Sequence, residues 1–453
     1  MCDNRHYISE VPLSLNSVRK RVEAFLSSNG LRLAALERYV VISRDEDGDE
    51  IIAGGGLDGN VIKCVAVSEA ARSEGLMNIL VSRLIAIAHE EGHDSVKAFT
   101  KPANENIFKS LGFELLASSK NAILMENGRG GLPEYRKYLE SLARPGRNGA
   151  IVMNANPFTK GHRYLIEQAA SQVDNLYVIV VKEDRSRFPY VERKAMIEAG
   201  CAGLDNVIVC EGSDYAVSAA TFPTYFLKQL DDATPTHIAL DLDLFVKHIA
   251  RPLGVTVRFA GSEPEDNLTH CYNEMMSEIL PAGGYNATSQ ENGIKFVEIP
   301  RLEQNGRPVS ATSLRKALDR GDLKAAMEFV PVSTVPYLIA ELAERSLRLE
   351  LDTTPKPGLV DKQDNGAHKD MDYALMSASI SALRPYLTKI AVGAVAGVNA
   401  AEIMSIGIDA ETSMLRATGG VNTHKGALFC IGLSVAAASF LACGTGTVVA
   451  DAF

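Results

Sequence analysis

The feature that most constrains the fold of this chain is the stretch from residue 149 to residue 184, where strand, helix and strand patterns follow one another. Residues 150–153 form a short, uninterrupted apolar run, as expected of a parallel strand buried on both faces. From residue 162 onward apolar side chains recur at helical spacing, and residues 176–181 form a second apolar run. This order predicts a parallel sheet in which the helix is the crossover connection.

The loop between the first strand and the helix carries residue types that bind phosphate. Asn154 follows the apolar run, and Thr159, Gly161 and His162 stand where the helix begins. Gly161 would let the backbone approach a phosphate closely, while the His162 imidazole and the first free N–H groups of the helix would face the anion. The loop therefore predicts a site for a nucleotide triphosphate.

A second motif with phosphate-binding chemistry lies at residues 309–315. Ser310 and Thr312 supply hydroxyl groups, and Arg315 supplies a guanidinium that matches a phosphate bidentately, at the start of a helix predicted over residues 314–318. Together the two motifs resemble the (H/T)xGH and ISxxxxR signatures of the nucleotidylyltransferase superfamily, with Thr159 where many members have a first His. The alternative is an ordinary capped helix start at each place.

Longer stretches from the N-terminus to about residue 330 resemble the citrate lyase ligase family. They are IVMNANPFTKGHRYLIEQAA, VKEDRSRFPYVER, GSDYAVSAATFPTYFLK, the GSEP that begins at Gly261, and VSATSLRKAL. The resemblance implies that acetate attacks the α-phosphorus of ATP to give acetyl-adenylate and pyrophosphate. A thiol of the CoA-like prosthetic group on the citrate lyase acyl carrier subunit would then take the acetyl group.

On this resemblance the chemistry can be assigned to particular residues. The candidate catalytic residues are Thr159, His162, Lys182 and Arg187. The candidate residues for ATP and its phosphates are Asn154, Gly161, Ser310, Thr312 and Arg315. We expect the first motif to stabilise charge at the α-phosphate, and the second to hold the leaving pyrophosphate with Mg²⁺. No metal-ligating residues are expected in the protein itself.

Two other functions remain open at this point. The first is a nucleotidyltransferase of the pantetheine-phosphate adenylyltransferase kind, in which a phosphate rather than a carboxylate attacks ATP. The second is a non-catalytic adaptor of citrate lyase, which would bind ATP without turnover. Acetate and 4′-phosphopantetheine as competing acceptors separate the two enzymes.

Length and charge limit the classes of protein that this chain can represent. A chain of 453 residues should hold more than one domain, because single cores rarely grow beyond about 250–300 residues. A formal net charge of −10 argues against nucleic acid as a partner. The scattered cysteines and the lack of a signal pattern at the N-terminus predict a cytoplasmic protein.

Residues 1–126 are expected to form a first domain. Three consecutive glycines from Gly54, a strand at 61–67, a helix at 76–89 and a further strand, helix and strand resemble a GNAT acyltransferase fold. The loop from Arg72 to Met77 corresponds to the pyrophosphate-binding loop of that family, although Met77 replaces a small residue. We therefore expect this domain to recognise the pantetheine thiol rather than to catalyse acetylation.

Two further motifs in this domain are interpreted as structural. His89 to His93 matches HExxH, but Gly92 stands where the helix should end, which argues against a zinc site. The acidic run at residues 45–50 lacks the glycine of a calcium loop and is expected to be a hairpin tip.

The sequence beyond residue 336 is predicted to be helical. The segments ELDTTPKPGLVDKQDNGAHKDMDY and ATGGVNTHKGALF resemble triphosphoribosyl-dephospho-CoA synthases, which implies ATP and dephospho-CoA as substrates and adenine as a product. The candidate residues for this chemistry are Lys356, Asp361, His368, Asp370, Asn422, Thr423, His424 and Lys425. Later family segments are missing, so we expect an incomplete and inactive domain whose removal spares the ligase reaction.

The uncharged stretch from Ala427 to Ala450 is long enough to span a bilayer. Its Ala, Ser, Gly and Thr content predicts a buried core helix instead, with no contact to a membrane. If the domain is incomplete, the helices that should cover this stretch are missing.

The predicted architecture is multidomain α/β. It comprises a GNAT-like α+β domain (1–126), a linker helix (127–146), a Rossmann-like nucleotidylyltransferase domain with a parallel sheet (147–330), and a partial all-α domain (337–453).

Overall fold

The computed structural model describes residues 6–45, 50–182, 186–213, 215, 233–262, 267–284, 293–304, 307–424 and 426–444. The chain divides into two compact units that alternate along the sequence. Unit 1 comprises Met1–Val152, Ala169–Lys182 and Asn206–Pro300. Unit 2 comprises Met153–Gln168, Glu183–Asp205 and Arg301–Phe453. The loop that carries the first phosphate motif thus belongs to unit 2, although the strand before it belongs to unit 1.

Unit 1 begins with a seven-stranded sheet. Its strands are β1 (Tyr7–Glu10), β2 (Arg38–Ser43), β3 (Ile51–Asp58), β4 (Val61–Val67), β5 (Ser95–Thr100), β6 (Glu114–Ser118) and β7 (Ile123–Gly128). The strand order is β1-β2-β3-β4-β5-β7-β6. Neighbouring strands are antiparallel except β4 and β5, whose parallel pairing covers two positions, Val61 with Lys97 and Ile62 with Ala98.

Three helices accompany this sheet. They are α1 (Asn16–Ser28), α2 (Leu76–Glu90) and α3 (Glu105–Ser110). Helix α2 packs closely on β3, because a Cβ added at Gly55 would lie 3.1 Å from a methyl of Leu84. Leu80 and Leu84 are fully buried in the core beneath this helix. The mixed α+β architecture predicted for the first part of the chain is confirmed.

The second sheet of unit 1 is parallel, as predicted. Its strands are β8 (Asn148–Met153), β9 (Asn175–Val180), β10 (Val207–Cys210), β11 (Val255–Gly261) and β12 (Lys295–Ile299). The order is β10-β9-β8-β11-β12. The pairs β10/β9, β8/β11 and β11/β12 run parallel. Continuous apolar strands of this kind need cover on both faces.

Helices precede, separate and follow these strands in the sequence. They are α4 (Leu132–Leu142), α5 (Lys160–Ala170), α6 (Tyr190–Gly200), α7 (Ala233–Phe245), α8 (Arg251–Leu253) and α9 (Asn267–Ile279). A π-helical stretch, Val246–Ala250, joins α7 to α8. The buried Asp243 of α7 accepts a hydrogen bond from the backbone N–H of Ser118 at 2.8 Å. The first sheet and α7 therefore share polar contacts within unit 1.

The part of unit 2 beyond residue 300 is mostly helical. A short hairpin, β13 (Glu303–Gln304) and β14 (Arg307–Pro308), precedes α10 (Ala311–Asp319), α11 (Leu323–Met327), α12 (Val335–Asp352), α13 (Tyr373–Ala396), α14 (Ala400–Ala417) and α15 (Ala427–Cys443). Helix α14 begins with a capping box between Asn399 and Glu402. The helical character predicted for this region is confirmed over residues 335–443.

Helix α15 is exposed along much of its length. Phe429 is 67% exposed and Leu433 is 52% exposed, whereas Gly432, Val435 and Ser439 are buried. The core position predicted for this segment is therefore wrong in the described chain, because only one narrow face of the helix is covered. Among the described helices, none combines the length and apolarity that crossing a bilayer requires.

The HExxH segment does not lie on one helix. Helix α2 ends at Glu90, and Gly92 has a φ of 90°, a left-handed conformation that stops the helix. The imidazoles of His89 and His93 are therefore not held one turn apart, as a zinc site on a helix requires. Of the acidic run, residues 46–49 lie outside the described residues, between the antiparallel strands β2 and β3.

Candidate functional site

The loop that follows β8 fixes the imidazole of His162 through Thr159. The backbone N–H of Thr159 donates to Nδ1 of His162 at 3.0 Å, and the Thr159 hydroxyl lies 2.9 Å from the same nitrogen. A backbone N–H can only donate, so Nδ1 carries a lone pair and the neutral ring holds its proton on Nε2. His162 therefore presents an N–H donor on the side of the ring that faces away from Thr159.

His162 is held in its neutral form by its surroundings. Burial, which has the largest effect, and the positive charges of Arg301 and Arg315 together lower the pKa of His162 to about 4. The ring also stacks on Phe158, with 5.9 Å between ring centroids and an interplanar angle of 17°. At neutral pH the site thus offers an oriented, uncharged donor beside two arginines.

Gly161 is not required by the backbone conformation of its own helix. Its φ is not positive, and an added Cβ would lie 3.4 Å from the Val309 carbonyl oxygen, which is an ordinary contact. An alanine would therefore fit the protein as it stands. The absence of a side chain instead leaves open the approach of a ligand to the first turn of α5.

The second motif forms the first turn of α10. Ser310 caps this helix, since its hydroxyl oxygen accepts from the backbone N–H of Thr312 at 3.1 Å. Arg315 reaches back across unit 2, where its Nη1 donates to the Asn156 carbonyl at 3.0 Å and its Nη2 donates to the Thr312 hydroxyl at 3.2 Å. Arg315 thereby joins the two motifs that lie about 150 residues apart in sequence.

The loop before His162 is supported by a buried arginine, Arg193, which is the last residue of the quoted segment VKEDRSRFPYVER. Arg193 of α6 is fully buried, and its Nη1 donates to both the backbone and side-chain oxygens of Asn154 at 2.7 Å. Its Nε donates to the Phe188 carbonyl at 3.0 Å. Both oxygens of Asn154, a predicted ATP-binding residue, thus accept hydrogen bonds from Arg193, which helps to fix the loop. A basic residue in a helix carries no sequence signal for this role.

Arg187 is bound by carboxylates of later helices. Its Nε donates to Oε1 of Glu341 at 2.8 Å, its Nη2 donates to the same oxygen, and its Nη1 pairs with Asp319 at 2.8 Å. The phosphate contact predicted for Arg187 would require these ion pairs to break. Lys182 lies two residues after the end of β9 and belongs to unit 1.

Within unit 2, a buried ion pair joins α6 to α13. Arg384 donates to Glu192 through Nη2 at 2.7 Å and through Nε at 3.2 Å. The hydroxyl of Thr388 donates to Oε1 of the same carboxylate at 2.6 Å. Both charged side chains are 8% exposed. Helix α13 therefore covers the buried carboxylate of Glu192, which belongs to the same unit as the loop that carries His162.

The first synthase-like loop is organised around Asp361. Its carboxylate accepts from the backbone N–H groups of Gln363, Asp364 and Lys356 at 2.7–3.1 Å. These hydrogen bonds, that of Gln363 above all, hold the pKa of Asp361 well below its usual range. The Lys356 ammonium pairs with Glu350 of α12 at 2.8 Å. Asp361 thus fixes the backbone of the loop that carries Lys356.

The second synthase-like loop meets α13 at Ser379. His424 is buried, and its Nδ1 lies 2.8 Å from the Ser379 hydroxyl, to which the Thr423 hydroxyl donates at 2.7 Å. Burial lowers the pKa of His424, while the negative charge of Glu350 opposes that effect. Glu350, the first residue of the quoted synthase-like segment but not one of the candidate residues, therefore interacts with both loops.

The remaining candidates of this region are more exposed. Asn422 donates to Glu411 of α14 at 3.1 Å, and His368 Nδ1 lies 3.7 Å from the Asp370 carboxylate. Lys425 lies outside the described residues.

A separate groove lies in the first part of unit 1, beside the point where β4 and β5 pair. It has a volume of about 670 Å³, and it is lined by Val65, Arg72, Met77, Phe99, Lys101 and Asn104 among others. Gly75, with a φ of 71°, ends the preceding turn at its rim and starts α2. The groove combines apolar walls with two cations, which suits a long ligand that carries phosphate.

No group of three or more His, Cys, Asp or Glu side chains in the described part of the chain could hold a metal ion.

Comparisons with known proteins match two families in tandem. The family model "Citrate lyase ligase C-terminal domain" matches residues 148–338, and the model "ATP:dephospho-CoA triphosphoribosyl transferase" matches residues 336–452. The chain is 41% identical to the [citrate [pro-3S]-lyase] ligase of Klebsiella pneumoniae, over 72% of this chain and 94% of the relative. It is 40% identical to the Escherichia coli ligase, over 73% of this chain and 93% of the relative.

The C-terminal part has relatives of its own. It is 42% identical to the 2-(5''-triphosphoribosyl)-3'-dephosphocoenzyme-A synthase of Pectobacterium atrosepticum, over 27% of this chain and 45% of the synthase. The chain thus spans less than half the length of that synthase. Among solved structures, Escherichia coli ElaA is similar at 19% identity with a TM-score of 0.22, over 27% of this chain and 99% of that chain.

Proposed function

The chain belongs to the citrate lyase ligase family, and from that premise we propose that it activates acetate with ATP and acetylates the carrier subunit of citrate lyase. Acetate attacks the α-phosphorus of ATP, so that acetyl-adenylate forms and pyrophosphate leaves. The thiol of the carrier's CoA-like prosthetic group then attacks the acetyl carbonyl and releases AMP. The need for ATP supports the cytoplasmic location that the sequence predicts.

The observation that carries the adenylation step is the fixed, neutral His162. Its Nε2–H is available because Nδ1 accepts from Thr159, and the low pKa keeps the ring uncharged at neutral pH. An oriented donor of this kind stabilises the negative charge that develops on the α-phosphate in the transition state. Thr159 acts as a positioning residue, because its polar atoms are directed at the imidazole rather than away from it.

The leaving pyrophosphate is proposed to lie against the first turn of α10. Ser310 and Thr312 supply hydroxyl groups there, and Arg315 supplies the positive charge. Mg²⁺ would arrive with ATP, since it is commonly held by substrate phosphates with few protein ligands. Such an ion would neutralise the charge of the β- and γ-phosphates as they leave.

The thiol acceptor is proposed to use the groove of the first sheet. The prosthetic group is a long arm that ends in a thiol and carries phosphates, which matches the apolar walls and the cations Arg72 and Lys101.

The proposed function is tested by the acceptor that drives pyrophosphate release. Acetate with MgATP should support pyrophosphate–ATP exchange, and 4′-phosphopantetheine should not, because the proposed nucleophile is a carboxylate. The exchange assay and a direct assay of pyrophosphate should agree. Release driven by 4′-phosphopantetheine would favour the pantetheine-phosphate adenylyltransferase alternative, and ATP binding without turnover would favour the adaptor.

The role of Gly161 provides a second test. Gly161→Ala should weaken ATP binding or adenylation by roughly 5- to 150-fold, the range for about 1–3 kcal/mol of steric conflict with a phosphate. The unfolding free energy should not fall, because the added methyl group meets only ordinary contacts. Gly407→Ala on α14, where the methyl group would meet open space, is the control. Normal ATP kinetics in Gly161→Ala would contradict the close approach of phosphate.

A further inference from the structure

Arg187 lies in a segment of unit 2 that is hydrogen-bonded to the loop after β8. The side-chain nitrogen of Asn154 donates to the Ser186 hydroxyl at 3.2 Å, and the backbone N–H of Phe188 donates to the side-chain oxygen of Asn156 at 3.1 Å. Both neighbours of Arg187 are therefore fixed to this loop. The backbone of Arg187 is thereby held beside the loop at which we propose that ATP binds.

The two carboxylates that bind the Arg187 guanidinium do so incompletely. Nε and Nη2 both donate to Oε1 of Glu341, whereas Oε2 of this carboxylate is buried and accepts no hydrogen bond from the residues that the structure describes. The strongest arginine–carboxylate pairs use both oxygens side by side. The other carboxylate, Asp319, is 62% exposed, and exposed ion pairs contribute little to stability. The charge of Arg187 is thus compensated by contacts that a stronger acceptor can displace.

Glu341 has a second cation on its own helix. Arg345 lies four residues later on α12, the spacing at which a glutamate and a following basic residue face each other on a helix. In the structure, the terminal nitrogens of Arg345 donate to the carbonyls of Leu318 and Asp319 at the end of α10. Water can also hydrate carbonyls at a helix end. Arg345 can therefore turn to Glu341 and bind its unpaired oxygen, so that release of Arg187 leaves no buried charge alone.

We propose that Arg187 binds the phosphates of ATP and that its ion pairs with Glu341 and Asp319 are an inhibitory contact, which ATP must break. The triphosphate offers the planar guanidinium several charged oxygens in a geometry that suits bidentate binding. As Arg187 leaves, Arg345 pairs with Glu341. This inference rests on the proposed function, to which it adds a phosphate-binding residue and a means of regulating the affinity for ATP.

The inhibitory contact joins the two family-matched parts of the chain. Arg187 and Asp319 lie in the part that matches the ligase family, whereas Glu341 and Arg345 lie beyond its end, in the part that matches the synthase family. The apparent affinity of a ligand falls with the fraction of protein that is in the binding-competent state. The first synthase-like helix, α12, therefore lowers the affinity of the ligase for ATP for as long as Glu341 holds Arg187.

The affinity of the full chain for MgATP, measured by titration calorimetry, tests the inhibitory contact. Glu341→Gln keeps the size of the side chain and removes its charge, so the Kd for MgATP should fall by roughly 10-fold or more, the scale of one hydrogen bond to a charged group. Asp319→Asn should lower the Kd by less than about 5-fold, because that ion pair is exposed. Glu198→Gln is the matched control, since this half-exposed carboxylate of α6 pairs with Lys194, and the Kd should not change.

A double-mutant cycle separates this role from a merely structural one. Arg187→Met should raise the Kd for MgATP by roughly 10-fold or more, and Glu341→Gln should have no further effect on the Kd in that background. A structural Glu341 would change the unfolding free energy without this coupling. Arg345→Met should also weaken the binding of MgATP, because Glu341 then has no replacement cation when Arg187 leaves. This variant keeps the proposal testable if Arg187→Met does not fold.

Each part of the proposal has an outcome that contradicts it. An unchanged or higher Kd for MgATP in folded Glu341→Gln would overturn the inhibitory contact. An unchanged Kd in folded Arg187→Met would overturn the phosphate-binding role of Arg187. Tighter binding by Glu341→Gln, in a protein whose wild type shows no acetate-dependent exchange, would support the inhibitory contact and overturn the proposed function, which separates the two failures.

Discussion

Replacing His162 with alanine should lower the rate of acetate-dependent pyrophosphate–ATP exchange by roughly 10²–10³-fold, the scale for one lost electrostatic donor. The reason is the loss of the Nε2–H that Thr159 orients from the other side of the ring. The effect should fall on kcat more than on the KM for ATP, because the donor acts on charge that develops in the transition state. Single-turnover formation of acetyl-adenylate measures this step directly.

His270→Ala is the control for this substitution, since that imidazole is 61% exposed on α9. A positioning variant, Thr159→Val, should keep part of the activity because the backbone N–H of residue 159 still donates to Nδ1. Exchange that survives His162→Ala at full rate would remove His162 from the chemistry.

The low pKa of His162 can be tested by measuring protein stability as a function of pH, without any enzyme assay. The folded-state pKa of about 4 lies below the usual 6.5, so between these values the unfolded chain binds a proton that the folded chain does not. The stability of the protein should therefore fall as the pH is lowered from 6.5 toward 4. His162→Ala should remove this part of the acid sensitivity, as urea unfolding at several pH values would measure.

The second large effect is expected at the ion pair between α6 and α13. Arg384→Met should reduce the unfolding free energy by about 3–5 kcal/mol, because it leaves the Glu192 carboxylate buried and without its cation. The double variant Arg384→Met with Glu192→Leu should recover most of that loss, since a buried ion pair can be replaced by apolar groups at small cost.

Lys389→Met is the matched control on α13, because Lys389 is exposed. Equal stability of Arg384→Met and Lys389→Met in urea would show that the buried ion pair does not stabilise the protein.

The same ion pair predicts the effect of removing the C-terminal helices. Removal of residues 337–453 takes away Arg384 and Thr388 together with the Arg187 partner Glu341, so we expect a less stable unit 2 rather than an unaffected ligase.

Local patterns predicted the elements that carry the site. Strand β8, helix α5 and strand β9 followed from apolar runs and helical spacing. The helix predicted over residues 314–318 lies within α10, which begins earlier, at Ala311, because Ser310 caps it. These features depend on residues close together in sequence. The helical C-terminal region was predictable for the same reason.

The long-range contacts that assemble the site could not be predicted from local sequence patterns. Arg193, Glu192 and Arg384 are charged residues in helices, and a charged residue in a helix usually faces solvent. Their burial depends on segments about 40 to 190 residues apart. The exposed face of α15 could not be predicted either, because an uncharged helix has no alternation of polar and apolar residues that marks which side is covered.

The alternation of the two units along the chain has a consequence for synthesis on the ribosome. Glu192 emerges 192 residues before its partner Arg384. At about 5–20 residues per second this interval lasts roughly 10–40 s. During that time the first segments of unit 2 have left the ribosome without the helices that cover them. Unit 2 therefore closes late in translation, and the nascent chain offers chaperones and proteases a long period of access to the nucleotide loop.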